Sequence, residues 1–233
     1  MHTRAQRGNI LFLILLAVVL FAALSYAVTQ STRGGGNDAS KESVKTKAAS
    51  ITQFFDQMDA AILRMKLTEG IPIEKISFEY LMKSYSGSQF NNWANPNCST
   101  DSCRLFKPSG GGVAPRTFEP YAVATPTGWQ ASWSAPGYMD FFTLQWPYAG
   151  TDAHDIIIRV LALEPPICTE INASLGITAV PWFSGSETDA SNPANWDTST
   201  RVIAGNASQL LGKNTFAIFS GNYCTIYHVL FIR

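Results

Sequence analysis

Three kinds of side chain in this sequence carry usable chemistry: cysteines, histidines beside acids, and serines beside glycines. The four cysteines stand at 98, 103, 168 and 224. Thiols either pair oxidatively or bind a soft metal, and the two outcomes need different spacings. Cys98-Ser-Thr-Asp-Ser-Cys103 has no second matching pair, and neither His154 nor His228 has a ligand partner one helical turn away. Zinc is therefore disfavoured and two disulfides are expected. Cys98 with Cys103 would close a small loop. Cys168 with Cys224 would close one of about 57 residues, adding about 4 kcal/mol by loop entropy. The other two connectivities stay open.

Nucleophilic catalysis needs a hydroxyl or thiol beside a base that a third group orients. Phe183-Ser184-Gly185-Ser186 lacks the flanking glycines of a nucleophile elbow. His154-Asp155 could orient a base towards a distant serine, but a histidine at the surface or a strand edge is the simpler reading. His228 lies on the opposite face of an alternating segment from Tyr227 and Val229, so packing or solvent explains it. Ser109-Gly110-Gly111-Gly112 lacks the Lys-Ser/Thr ending of a phosphate-binding loop, and no predicted strand precedes it. Asp38, Asp101, Asp140, Asp152 and Asp189 form no calcium-loop spacing. Trp93, Trp129, Trp133, Trp182 and Trp196 suit either a stacking surface for carbohydrate or a protein partner, or a core beneath long loops. No enzyme, metal or cofactor is implied. Seventeen Lys and Arg balance seventeen Asp and Glu without a basic patch, which excludes nucleic acid as an expected partner.

The elements that position these residues begin with an apolar run. Ile10 to Leu24 contains no polar residue. A helix from Ile10 to Thr32 would be roughly 34 Å long, enough for a hydrocarbon core of about 30 Å. His2, Arg4 and Arg7 precede it without an acid, so the N-terminus is expected in the cytoplasm and the rest exported. Three readings follow. Ser25-Tyr26-Ala27 could end a secretory signal peptide, although the apolar stretch exceeds the usual core of about 7–15 residues. The segment could be a plain uncleaved anchor. Or it could be a handle for assembly.

The third reading rests on Arg7-Gly8 followed by Asn9-Ile10-Leu11-Phe12-Leu13-Ile14-Leu15-Leu16. This run resembles the prepilin signal of the type IV pilin and pseudopilin superfamily over roughly the first 33 residues. The resemblance implies a leader, 1–8, removed by prepilin peptidase after Gly8, with methylation of the new amine of Asn9. It implies that residues 9–33 act as a membrane anchor before assembly and join other pilin-like subunits afterwards. Members of the family usually have Phe or Met first after the cut and Glu fifth, where this chain has Asn9 and Leu13. The carboxylate meets a neighbour's N-terminal ammonium, and a buried amine without its counter-ion is costly. Leu13 therefore points to a minor pilin or pseudopilin of a type IV pilus or type II secretion-like assembly. The expected location is the inner membrane, single-pass, with a periplasmic domain, or a cell-surface filament. The alternative is a membrane-anchored exported binding module or adhesin that does not polymerise.

Gly34-Gly35-Gly36 predicts a hinge over 34–38, each glycine costing about 1 kcal/mol in a helix relative to Ala. An amphipathic helix is expected over 39–68, capped by Asn37 or Asp38. Val44, Ala48, Ile51, Phe55, Met58, Ile62 and Met65 alternate spacings of four and three, and Phe54 and Ala61 widen the stripe. A stripe of that width favours packing on the chain's own domain over a coiled coil. Beyond it, 69–233 reads as a disulfide-bonded globular domain. Ile71 to Leu81 is a strand or a short helix, and Ser84 to Pro136 reads as loops and short strands. Strands are expected at Phe141–Trp146 and Asp155–Leu163, a helix at Ile167–Leu175, and a hairpin from Phe216–Phe219 and Thr225–Ile232. The fold class is α+β: a transmembrane helix, then an amphipathic helix packed on an antiparallel sheet.

Overall fold

The apolar start and the amphipathic stretch belong to one helix, α1 (Gly8–Leu67). In this computed structural model, residues 8–83, 86–87, 89–129, 134–145, 154–178, 182–184, 202–204 and 207–231 are described. Gly34, Gly35 and Gly36 are helical, where the sequence predicts a hinge. A helix is costly to nucleate and cheap to extend, so continuing through three poor formers avoids a second nucleation. One expectation is corrected here. Among the described residues no helix is long and apolar enough to cross a membrane, so the transmembrane helix is not upheld.

Contacts divide the chain into Met1–Val44 and Lys45–Arg233. The second unit begins inside α1. After α1 come β1 (Tyr80–Lys83), β2 (Gln89–Asn92), β3 (Met139–Gln145), β4 (His154–Leu163), α2 (Pro165–Ser174), β5 (Trp182–Ser184), β6 (Val202–Ala204), β7 (Thr215–Ser220) and β8 (Tyr223–Phe231). Ile71–Leu81 resolves into a 3-10 turn, Ile73–Lys75, followed by the start of β1. The main sheet has the order β3-β4-β8-β7 with antiparallel neighbours throughout. Ile156, Ile157, Ile158 and Val160 therefore lie in an internal strand, with apolar side chains on both faces. β1 pairs with β2, and β5 with β6.

Successive side chains of a strand alternate faces, and the two cores follow that period. Ile156, Ile158 and Val160 of β4 join Ile226 and Leu230 of β8 on one face, together with Ile51, Phe55, Met58, Ile62 and Met65 of α1. Ile157, Phe216, Tyr227 and Val229 form a second cluster with Ile177 and Leu210 on the other. Near its end β4 has a bulge between Val160 and Leu163, where Ala162 takes φ 53°. The distortion turns the strand towards a new partner: the Val123 amide donates to the Ala162 carbonyl and the Glu164 amide to that of Tyr121.

Proline is tolerated in the first turn of a helix, and α2 begins on Pro165-Pro166. It ends at Gly176, φ 73°, where the Ile177 amide reaches the Asn172 carbonyl and the Gly176 amide that of Ala173. That paired bonding needs a left-handed residue, which glycine adopts without a Cβ clash.

Candidate functional site

Within Met1–Val44, the described side chains from Phe12 to Tyr26 include no charged group. Phe12, Leu13, Ile14, Leu15, Leu16, Val18, Val19, Leu20, Phe21, Leu24 and Tyr26 are each 47–75% exposed. At about 100° per residue, five consecutive apolar residues from Phe12 to Leu16 already reach every side of a helix. A helix that is apolar all round belongs in surroundings that cover it completely. An apolar surface of this kind marks an interaction site. Gly8 is the first residue of α1, and Asn9, Ile10 and Leu11 continue it. The assembly residues named from the sequence therefore lie together at one helix start, with those from Phe12 onward facing outward.

Among the described residues of Lys45–Arg233 lies a buried polar constellation that the sequence does not reveal. His228 of β8 is 2% exposed, and its ring stacks on Phe55 of α1 at 4.6 Å between centroids and 7° between planes. Its Nδ1 meets Thr215 Oγ1 at 2.6 Å and its Nε2 meets Asp59 Oδ2 at 3.1 Å. Hydroxyl, imidazole and carboxylate are thus in the order of a nucleophilic relay. Thr215 is itself buried, so this hydroxyl is held away from any substrate. The chemistry it performs is adhesion: one imidazole joins Asp59 Oδ2 of α1 to the Thr215 hydroxyl of β7. Asp59 and His228 are 169 positions apart, and no local signal links them.

The cysteines form the two pairs that the sequence places first. Cys98 bonds Cys103, and Cys168 bonds Cys224 across 56 positions. The second bond fixes α2 to β8 within the core, and both of its residues are fully buried. The first closes a loop whose neighbour Asn95 donates to the carbonyls of Glu74 and Ile76. The Ser109–Gly112 segment has a packing role. A Cβ at Gly110 would stand 2.2 Å from the Arg104 carbonyl oxygen. The carbonyls of Gly110 and Gly111 accept from the Arg64 guanidinium at 2.9 and 2.7 Å. These outward carbonyls suit a cation, the opposite of what a phosphate cradle needs.

Among the remaining candidates, Asp155 is buried in β4, and His154 is placed there by its backbone alone. Asp140 pairs with Arg159, whose Nε donates to its Oδ2 at 2.8 Å, and Asp101 pairs with Arg104. No group of three His, Cys, Asp or Glu among the described residues is arranged to hold a metal ion. Trp93 is a core residue, edge-on to Phe141 at 6.1 Å, while Trp129 is edge-on to Tyr223 and donates to the Ser134 carbonyl. Tyr80 is buried and donates to the Met139 carbonyl. Burial, with Asp140 nearby, pushes its phenol well above the ordinary tyrosine range. Trp133, Asp152, Gly185, Ser186, Asp189 and Trp196 lie outside the described residues. Comparisons with protein-family models, curated proteins and solved structures find no match.

Proposed function

We propose that this chain is a structural subunit, a minor pilin or pseudopilin of a type IV pilus or type II secretion-like assembly, processed after Gly8 by prepilin peptidase. The observation that carries this reading is the uncharged exposed run from Phe12 to Tyr26, beginning just after a basic leader that ends in glycine. Such a surface fits the matching helices of other subunits. Leu13 in place of an acid supports a minor rather than a repeating subunit, since identical neighbours would bury an amine without its counter-ion. Two disulfides support an oxidising, exported setting for Lys45–Arg233.

Mass analysis of the mature N-terminus tests the proposal. A chain beginning at methylated Asn9 is expected, and Gly8→Phe should leave the leader attached in cells with active peptidase. An intact Met1, or a start at Val28, overturns it. Asn9 and Leu13 also favour a second reading, an exported binding module that never polymerises. Absence of the processed chain from filaments sheared off cells that carry them would select that reading.

A further inference from the structure

Asn-x-Ser, with any residue but proline in the middle, is an acceptor sequence for sugar on the surface of exported proteins. The chain has it three times, at Asn97-Cys98-Ser99, Asn172-Ala173-Ser174 and Asn206-Ala207-Ser208. Asn206 lies outside the described residues. The other two are opposites. Asn172 is buried in α2, where its Oδ1 accepts from the Ala217 amide at 2.8 Å and its Nδ2 donates to the Ala217 carbonyl at 3.0 Å. Ser174 donates its hydroxyl to the Ile171 carbonyl at 2.7 Å. Both groups that a sugar transferase reads are thus engaged inside the fold. Asn97 and Ser99, by contrast, are exposed. Asn97 is third in a turn from Asn95 to Cys98, closed by the Cys98 amide on the Asn95 carbonyl at 3.0 Å. Pro96 stands second, where its fixed φ suits such a turn. The Asn97 backbone amide donates to Asn95 Oδ1 at 2.9 Å, and its carboxamide bonds no other described residue. Beneath the turn, Asn95 Nδ2 donates to the Glu74 and Ile76 carbonyls, and Cys98–Cys103 closes the following loop. A group added at Asn97 therefore displaces nothing from the core and stands on a fixed base.

We propose that Asn97 is an N-glycosylation site, which takes a saccharide from a lipid-pyrophosphate donor. The carboxamide nitrogen attacks the anomeric carbon of the donor sugar. A carbon–nitrogen bond forms there, the bond from that carbon to the pyrophosphate oxygen breaks, and the amide gives one proton to a base of the transferase. The Ser99 hydroxyl, two residues on, is the recognition group. The inference rests on the exported setting that the two disulfides support for Lys45–Arg233.

The test is peptide mass spectrometry on full-length chain purified from the cells that natively make it, with circular dichroism to confirm the folding of each variant. In wild type the major form of the peptide holding Asn97 should carry the added mass of one or more sugar units, and the peptide holding Asn172 should be bare. Asn97→Gln and Ser99→Ala should each abolish the added mass with the fold unchanged. Ser99→Thr, which keeps the hydroxyl, should retain it. A bare Asn97 overturns the site. So does added mass that survives Asn97→Gln, which would place the sugar on Ser99 or Thr100, or that survives Ser99→Ala. The same spectra give the N-terminus of the mature chain. A chain that begins at Asn9 with a bare Asn97 sinks the site alone, and one that keeps Met1 with a sugar on Asn97 sinks the processing alone.

Discussion

Phe21 and Phe55 are the same residue type in the same helix, yet Phe21 is 75% exposed and Phe55 is 1% exposed. Around Phe21 every side of the helix is apolar, so no face is chosen. Around Phe55 the apolar positions recur at three and four, and Lys45, Gln53 and Asp56 keep the other side for water. A stripe selects one partner surface and one orientation, here the sheet carrying Ile158 and Ile226. A helix without a stripe has affinity but no preferred side. The difference teaches that periodicity, rather than hydrophobicity, lets an element fold onto its own chain.

The largest way to break this contrast is Phe55→Ala. The substitution opens a cavity and removes the ring on which His228 stacks, and should cost about 3–5 kcal/mol in denaturant unfolding of Lys45–Arg233 followed by tryptophan fluorescence. A loss below about 1 kcal/mol would mean that the helix is not seated on the sheet. Next come the disulfides. Replacing Cys168 and Cys224 with Ala should cost about 4 kcal/mol, against about 2 kcal/mol for Cys98 and Cys103, because loop entropy grows with the segment closed. Equal losses would show that strain or residual structure in the unfolded chain governs both.

Tyr80 sharpens the contrast from the packed side. Its folded pKa is raised, so the fold favours the neutral phenol. Stability from this group is complete below its unfolded pKa near 10 and declines as pH rises through the higher folded value. Wild type should therefore lose stability above pH ~10 more steeply than Tyr80→Phe. The variant itself loses the bond to the Met139 carbonyl, at about 1 kcal/mol at neutral pH. Parallel alkaline profiles would assign the decline to other groups. A smaller effect is expected at Lys47–Glu164, an ion pair of 2.8 Å between half-exposed side chains. Lys47→Ala should cost below about 1 kcal/mol, diminishing with salt.

How much of this was legible depended on sequence distance. Ile156–Val160 announced an internal strand, and Gly221-Asn222 sits at the turn of the closing hairpin, because both signals are local. The Cys168–Cys224 pair was one of the connectivities that the sequence left open, and the fold selects it by placing α2 against β8. The hinge expectation weighed Gly34–Gly36 singly, whereas α1 runs on through them without the second nucleation that a break would require. The transmembrane reading measured an ideal helix over Ile10–Thr32, whereas among the described residues no helix is long and apolar enough to cross a membrane. The bulge at Ala162 and the Asp59–His228–Thr215 contact were illegible for another reason. Ala has no left-handed preference, and a contact across 169 positions exists only once the sheet has brought its strands together.

The smallest expected effect on folding is the most telling for function. Phe21→Ala removes a side chain already in contact with solvent, so unfolding of Lys45–Arg233 should shift by no more than about 0.5 kcal/mol. Local helicity should rise slightly, since Ala is the better helix former. If neighbouring subunits cover this stretch, the same substitution forfeits up to about 3 kcal/mol of apolar burial per subunit and lowers its share in sheared filaments. Phe21→Ala and Phe55→Ala would then form a mirrored pair, one failing in assembly with its fold intact, the other failing in its fold. Unchanged incorporation of Phe21→Ala would mean that the exposed run is not the surface through which copies meet.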